Sequence, residues 1–227
     1  MEFPLNENFI TFSKFLGYGD IKSKLWFVGI EDSGESITEV NLNERLSECR
    51  EETLYINEVA GKNSVWSIIE KLLWDNFSIK HKLNEKEYLK KMFSKEYSYF
   101  FLTELFPLPK SINRFSWPER YKDIFEYSKD DYFKYLSDVH SFRYPIIHNK
   151  WVEVKPYLTI CFGALYWDEF IHLFNLGHSK FIDLPDSGLR MFPSENILLS
   201  PFFDYRLRRN DILTLKQLIH DKIVKYL

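Results

Sequence analysis

Two cysteines in 227 residues, Cys49 and Cys161, are too few and too far apart for a disulfide framework, and neither stands at the spacing of a zinc or iron–sulfur ligand set. The cytoplasm is therefore the expected location. The opening stretch "MEFPLNENF" has no basic segment followed by an apolar one, and no apolar run approaches the ~18 residues that cross a bilayer. Neither a signal peptide nor a membrane segment is read. An excess of positive charge is missing too. A net charge of −3 argues against a protein that coats nucleic acid generically, though it leaves room for a local basic patch. No repeat, low-complexity tract or linker interrupts the chain, so residues 1–227 read as one domain, expected as a monomer. There is no P-loop, and Gly17-Tyr18-Gly19-Asp20 precedes the first strand, whereas a dinucleotide-binding glycine loop must follow it. The six histidines are scattered with no pair at ligand spacing, and His148 and His172 read as surface or core-edge residues, so no metal is expected.

What is present is ordinary globular material: 45% hydrophobic and 28% charged residues. The 18% aromatic content, carried mainly by 21 Phe and 14 Tyr, points to a phenylalanine-filled interior. Four short apolar runs, Leu25–Ile30, Tyr99–Thr103, Leu158–Phe162 and Ile197–Leu199, read as buried strands. Helical periods separate them, which is the alternation of an α/β protein with a mainly parallel sheet. Val65, Ile68, Ile69, Leu72 and Leu73 form one helical face, with Asn63 or Ser64 placed as its cap. Trp167, Phe170, Ile171 and Phe174 form another, with Gly177 positioned to end it, and a last helix follows Asn210. Residues 77–97 read as a basic helical insertion with Asn84 and Glu87 at capping-box spacing. Residues 107–132 open as a long proline-bearing loop, and Leu184–Leu189 carries hairpin-turn chemistry.

In an open parallel sheet, ligands sit beyond the carboxyl ends of the strands. Glu31 and Asp32 follow the first strand and Glu104 with Pro107-Leu108-Pro109 follows the second. Gly163-Ala164 follows the third, and Ser200-Pro201-Phe202-Phe203 the fourth.

Four segments in order resemble the uracil-DNA glycosylase superfamily: "LWFVGIEDSG", "FFLTELFPLPKS", "KPYLTICFGALYWDEF" and "ENILLSPFFDYRLRRND". They are similar to its first motif, its second strand with a proline-bearing loop, its third strand entered by Lys-Pro, and its final His-Pro-Ser motif. The resemblance covers most of the chain from Lys24 onward. It implies a three-layer α/β/α sandwich on a central, mainly parallel four-stranded sheet, and hydrolysis of an N-glycosidic bond in DNA without a cofactor. In that reading Glu31, with Asp32, orients the attacking water. Glu104 reads the edge of the flipped base, Ser200 takes the place of the family's histidine, and Tyr55 either stacks on the base or packs under a loop. Arg206, Leu207, Arg208 and Arg209 either enter DNA or form a helix start whose arginines face solvent or pair with acidic neighbours.

Three positions depart from the pattern. Glu31 is longer than the family's aspartate or asparagine. Glu104 replaces an asparagine, and an ionised carboxylate only accepts hydrogen bonds, which suits a base with adjacent donors such as guanine. Ser200 replaces the histidine, and losing one such donor costs on the order of 3 kcal/mol of transition-state stabilisation. With two cysteines, the family's iron–sulfur cluster is not expected. Two further readings stay open: a catalytically reduced protein binding nucleic acid, a nucleotide or a protein, and an enzyme acting on a small nucleoside-like molecule.

Overall fold

A computed structural model describes residues 5–31, 38–56, 64–77, 84–109, 121–128 and 130–223. The side chains of residues 31, 39, 64, 76, 77 and 89 are not among those described, and Asp32 lies outside the described residues altogether. The strands are β1 (Gly17–Gly19), β2 (Leu25–Glu31), β3 (Thr53–Leu54), β4 (Phe101–Phe106), β5 (Leu158–Phe162), β6 (Ile182–Asp183), β7 (Arg190–Phe192) and β8 (Ile197–Ser200). They form one mixed sheet in the order β3-β1-β4-β2-β5-β8-β7-β6. The four apolar runs read from the sequence are its centre, β4-β2-β5-β8, and are mutually parallel.

Among the described residues the sheet has eight strands where four were expected. The additions are two or three residues long, too short to leave a period in the sequence. β1 runs antiparallel to β4, and β7 pairs antiparallel with both β8 and β6. The bounds of three strands also move, with β2 taking in Glu31. β4 begins two residues later and ends three residues later than its apolar run, and β8 takes in Ser200. Glu104 and Ser200 therefore belong to strands, not to the loops that follow.

The helices are α1 (Glu7–Lys14), α2 (Glu39–Glu48), α3 (Ser64–Phe77), α4 (Glu85–Lys91), α5 (Tyr121–Phe125), α6 (Tyr132–Asp138), α7 (Tyr144–Val154), α8 (Trp167–Leu173) and α9 (Arg209–Lys222). The alternation of side chains along each strand divides the core in two. Phe27, Leu102, Ile160 and Leu198 pack with Ile69 and Leu72 of α3, Tyr88 of α4 and Leu215 and Ile219 of α9. Trp26, Phe101, Cys161 and Leu199 pack on the other face with Phe9 of α1, Phe125 of α5, Tyr135 of α6, Ile147 of α7 and Phe170 of α8. Both cysteines are buried and neither is in a disulfide. No helix among the described residues is long and apolar enough to cross a membrane.

Local chemistry explains several boundaries. Asn84 and Glu87 cap α4 reciprocally, as their spacing predicts. α8 ends at Leu173, well before Gly177, because Asn175 takes the left-handed conformation (φ 53°). Lys155 (φ 52°) closes α7, and Pro156 prevents its continuation into β5. Asp186 (φ 57°) supplies the turn of the β6–β7 hairpin. The proposed capping Asn63 lies outside the described residues, as does 110–120 of the proline-bearing loop.

A five-residue π-helical turn, Val139–Arg143, joins α6 to α7 and aims Arg143 into the protein, where it is 2% exposed. Its guanidinium donates to the carbonyls of Ser13 (3.0 Å) and Phe15 (2.8 Å) at the end of α1. It also donates to those of Glu104 (2.6 Å) and Leu105 (3.0 Å) in β4. Burial lowers its pKa to about 10, which leaves it charged at neutral pH.

Candidate functional site

The carboxyl ends of the four parallel strands share one register. Glu104 stands beside Gly29, and Phe162 stands beside Ser200. Continuing the parallel pairing of Val28 with Cys161 brings Gly29 level with Phe162. Glu104, Gly29, Phe162 and Ser200 thus form a row across the sheet, on the face that α3 and α9 cover. The Glu104 carboxylate lies over Gly29: a β-carbon there would fall 2.0 Å from its Oε2. The Glu104 carbonyl is fixed from behind by the Arg143 guanidinium.

The centre of the row is filled by aromatic rings. Phe203 stacks on Phe162 at 4.3 Å with 14° between the planes, and meets Phe27 edge-on at 6.0 Å. Phe202 packs against Phe162 from another side at 5.8 Å. Ser200 lies beyond them, fully buried, and its hydroxyl has no hydrogen-bond partner among the described residues. Its carbonyl accepts from the Gly163 N–H (2.9 Å) and the Trp167 indole (3.3 Å). Three strand spacings, about 14 Å, separate the chains carrying Glu104 and Ser200. The two residues share a face and a register but do not converge on one hollow. Gly163 (φ 137°) makes the close turn after β5, with a β-carbon excluded by Ile30 Cδ1 at 2.4 Å.

Glu31 ends β2, and its backbone pairs with Phe106. Tyr55 is elsewhere. It follows β3, whose Leu54 pairs with Tyr18, and Tyr18 pairs with Leu102 near the amino end of β4. At about 3.3 Å per residue, the carboxyl end of β4 is more than about 13 Å away, so Tyr55 does not stand over the row. Burial, and then the nearby charge of Asp20, raise the pKa of its hydroxyl. A cavity of about 40 Å³ beside β4, lined in part by Glu104, Phe106, Cys49 and Arg143, has room for about one water and none for a base.

Two arginines of the segment after β8 pair with acidic neighbours. Arg206 is bidentate to Asp204 at 2.6–3.0 Å, which raises the arginine's pKa and lowers the aspartate's. Arg208 bonds to Asp211 through its backbone N–H (2.8 Å) and guanidinium (3.2 Å) and caps α9. Burial pushes the fully buried Asp211 carboxyl up, but hydrogen bonds from Arg208 and the Gly188 N–H outweigh it and hold the pKa low. Leu207 is 6% exposed and packs in the α3–α9 core, so it is no wedge for DNA. The residue that projects is Tyr205, 92% exposed, with the Arg206 guanidinium 5.7 Å from its ring. Arg209 is exposed. Sequence reasoning passed over Tyr205 because alternation within "DYRLRR" does not say which side of the loop faces inward.

A second polar cluster sits where α8 meets the π-helical turn. His140 Nε2 is 2.7 Å from Glu169 Oε2, and the Tyr144 hydroxyl donates to the same oxygen at 2.8 Å. The His172 ring lies 4.5 Å from that of His140. Burial pushes the Glu169 carboxyl up, but the His140 and Tyr144 hydrogen bonds and the histidine charges hold its pKa below the ordinary value. Sequence spacing does not show the proximity of the two histidines, which comes from packing. His140 and His172 are 32 positions apart, and the signal in the sequence was Glu169-x-x-His172 on one helical face. Comparison with protein-family models, curated proteins and solved structures finds no match to this chain.

Proposed function

We propose that this chain is a divergent uracil-DNA glycosylase-like domain that binds a base-bearing ligand, a nucleotide or single-stranded nucleic acid, at the carboxyl ends of β2 and β4 without excising the base. The observation that carries the reading is the Glu104 carboxylate lying over Gly29, next to the end of β2. Ligands of an open α/β sheet sit beyond the carboxyl ends of its strands; between β2 and β5, where the strand order reverses, Phe162 and Phe203 fill the space, which leaves the β2–β4 side for this reading. A carboxylate there accepts two adjacent N–H donors, the pattern guanine offers, and a pair of hydrogen bonds to a charged acceptor is worth about 1.5–3 kcal/mol each. Tyr205 offers an exposed ring for stacking in the loop after β8. The absence of excision is argued from Ser200, a neutral and buried hydroxyl where the family has a histidine, and from Leu207, which is packed inside.

The test is equilibrium binding of guanine, uracil, adenine and cytosine mononucleotides and short labelled oligonucleotides. Guanine-bearing ligands are expected to bind best, and Glu104→Gln to weaken them about tenfold, equivalent to ~1.4 kcal/mol. Equal affinity for all four bases, or indifference to Glu104→Gln, overturns the reading. In parallel, oligonucleotides carrying uracil, hypoxanthine, xanthine or a mismatch are incubated with the protein and treated with alkali. Strand breaks that disappear in Glu31→Gln would replace binding with the hydrolytic reading, in which Glu31 orients water toward the sugar carbon.

A further inference from the structure

We propose that His140, Glu169 and His172 form a binding site for a divalent transition metal of the zinc class, independent of the base-binding reading above. One ligand atom from each of the three side chains lies within 4.8 Å of the other two. Two imidazole nitrogens and one carboxylate oxygen are a donor set used by zinc sites that keep one coordination position open. The same set suits copper, nickel and iron better than calcium or magnesium, which take oxygen.

Three features of the fold prepare the site. Glu169 and His172 are three positions apart on α8, so both project from one side of it. The π-helical turn places His140 opposite them, and insertions of this kind in helical chains recur at functional sites. Tyr144, one residue past the turn, is 4% exposed and donates its hydroxyl to Glu169 Oε2, which fixes the carboxylate as an outer-shell partner fixes a metal ligand.

His140 Nε2 and Glu169 Oε2 stand 2.7 Å apart, within hydrogen-bond distance. A metal replaces that hydrogen bond: the neutral imidazole binds through Nε2, any proton on that nitrogen moving to Nδ1 or to solvent, and the two atoms open to roughly 3.3 Å around the ion. His172 is exposed and closes on the ion by side-chain rotation. His140 and Glu169 are about three-quarters buried, so the ion would sit at the surface with one face open to water or a substrate oxygen.

The experiment is titration of the purified, chelator-treated full chain with Zn²⁺ by calorimetry, with Co²⁺ as a spectroscopic probe. One Zn²⁺ per chain is expected, with a Kd of about 10 µM or tighter, together with visible Co²⁺ bands of a four- or five-coordinate site. His172→Ala changes an exposed residue and keeps the fold. It is expected to weaken binding at least about tenfold and to remove the Zn²⁺-dependent rise in melting temperature. His140→Ala is expected to do the same, while His178→Ala, an exposed histidine outside the cluster, leaves binding unchanged. No binding up to ~100 µM Zn²⁺, or affinity equal in wild type and His172→Ala, overturns the proposal.

Discussion

The carboxylate of Glu104 occupies the volume that a side chain at Gly29 would need: the missing β-carbon would lie 2.0 Å from Oε2 and 2.7 Å from Cδ. Gly29 is thus a glycine because of a neighbour on the next strand. The φ angle of Gly29 is not in the left-handed region, and the atoms in the way are the far end of a flexible side chain.

It follows that Gly29→Ala displaces the carboxylate with little backbone strain. Guanine-ligand affinity is expected to fall as far as in Glu104→Gln, about tenfold, while unfolding free energy changes by about 1 kcal/mol or less. Gly163→Ala is the contrasting control. It combines a positive φ with a 2.4 Å clash against Ile30, and is expected to cost ~2 kcal/mol or more. Urea unfolding and nucleotide titration on both variants check this. Loss of stability without loss of affinity in Gly29→Ala would refute the link.

The Arg143 guanidinium ties the end of α1 to the middle of β4, donating to the carbonyls of Ser13 and Phe15 on one side and of Glu104 and Leu105 on the other. Arg143→Met keeps the apolar stem and strips the donors. Four carbonyls lose a charged donor, at about 1–3 kcal/mol for each that finds no other, so a loss on the order of 3 kcal/mol or more is expected in urea. Arg143→Lys restores a charge but not the planar fork, and should recover less than half of that loss.

The legibility of this chain followed the length of its elements. The central strands carry continuous apolar runs because both faces are covered, and runs of Leu25-Trp26-Phe27-Val28 or Leu158–Phe162 cannot be solvated loops. α3 and α9 announce themselves by period. β1, β3, β6 and β7 have two or three residues each, at most one and a half alternation cycles. Glu104 was read at a strand end because a charge breaks an apolar run. The strand continues through it because Gly29 opens room on the neighbouring chain and Arg143 holds the backbone. Tyr55 was placed by order along the chain, but β3 joins the sheet beyond β1, which order does not reveal. The His140–Glu169–His172 cluster needed the packing of α8 against the turn before α7.

Glu70 gives the fold a pH signature. It is 5% exposed on α3, and its Oε1 has no hydrogen-bond partner among the described residues. Burial first, then the charges of Glu85 and Asp75, raise its pKa from 4.5 to about 7, against the opposing pull of Lys216 and Lys71. A raised value means that the folded chain holds this proton more tightly than the unfolded chain. The contribution of Glu70 to stability is therefore full below pH 4.5 and lost as the pH rises through about 7. Solvent and lysine screening reduce the effect to on the order of 1 to 2 kcal/mol. Glu70→Gln should be more stable than wild type at pH 8, with the difference fading toward pH 4.5. Unfolding curves of the two proteins that stay parallel across that range would place the carboxyl in contact with water.

The loop after β8 separates stability from binding residue by residue. Leu207 is buried against α9, so Leu207→Ala is expected to cost ~2–3 kcal/mol of stability. Arg208 and Asp211 form the start of α9, and Arg208→Ala leaves a fully buried carboxylate without its guanidinium, at a cost of about 1–2 kcal/mol. Tyr205 and Arg209 project into solvent, so Tyr205→Ala and Arg209→Ala should leave the melting temperature unchanged. If the loop meets nucleic acid, these two substitutions carry the loss: about tenfold for the stacking ring, and a shallower salt dependence for the arginine. Fluorescence anisotropy with a single-stranded oligonucleotide at two salt concentrations distinguishes them. Unchanged affinity in both variants would leave the loop with a structural role alone, because its other arginines are already bound to Asp204 and Asp211.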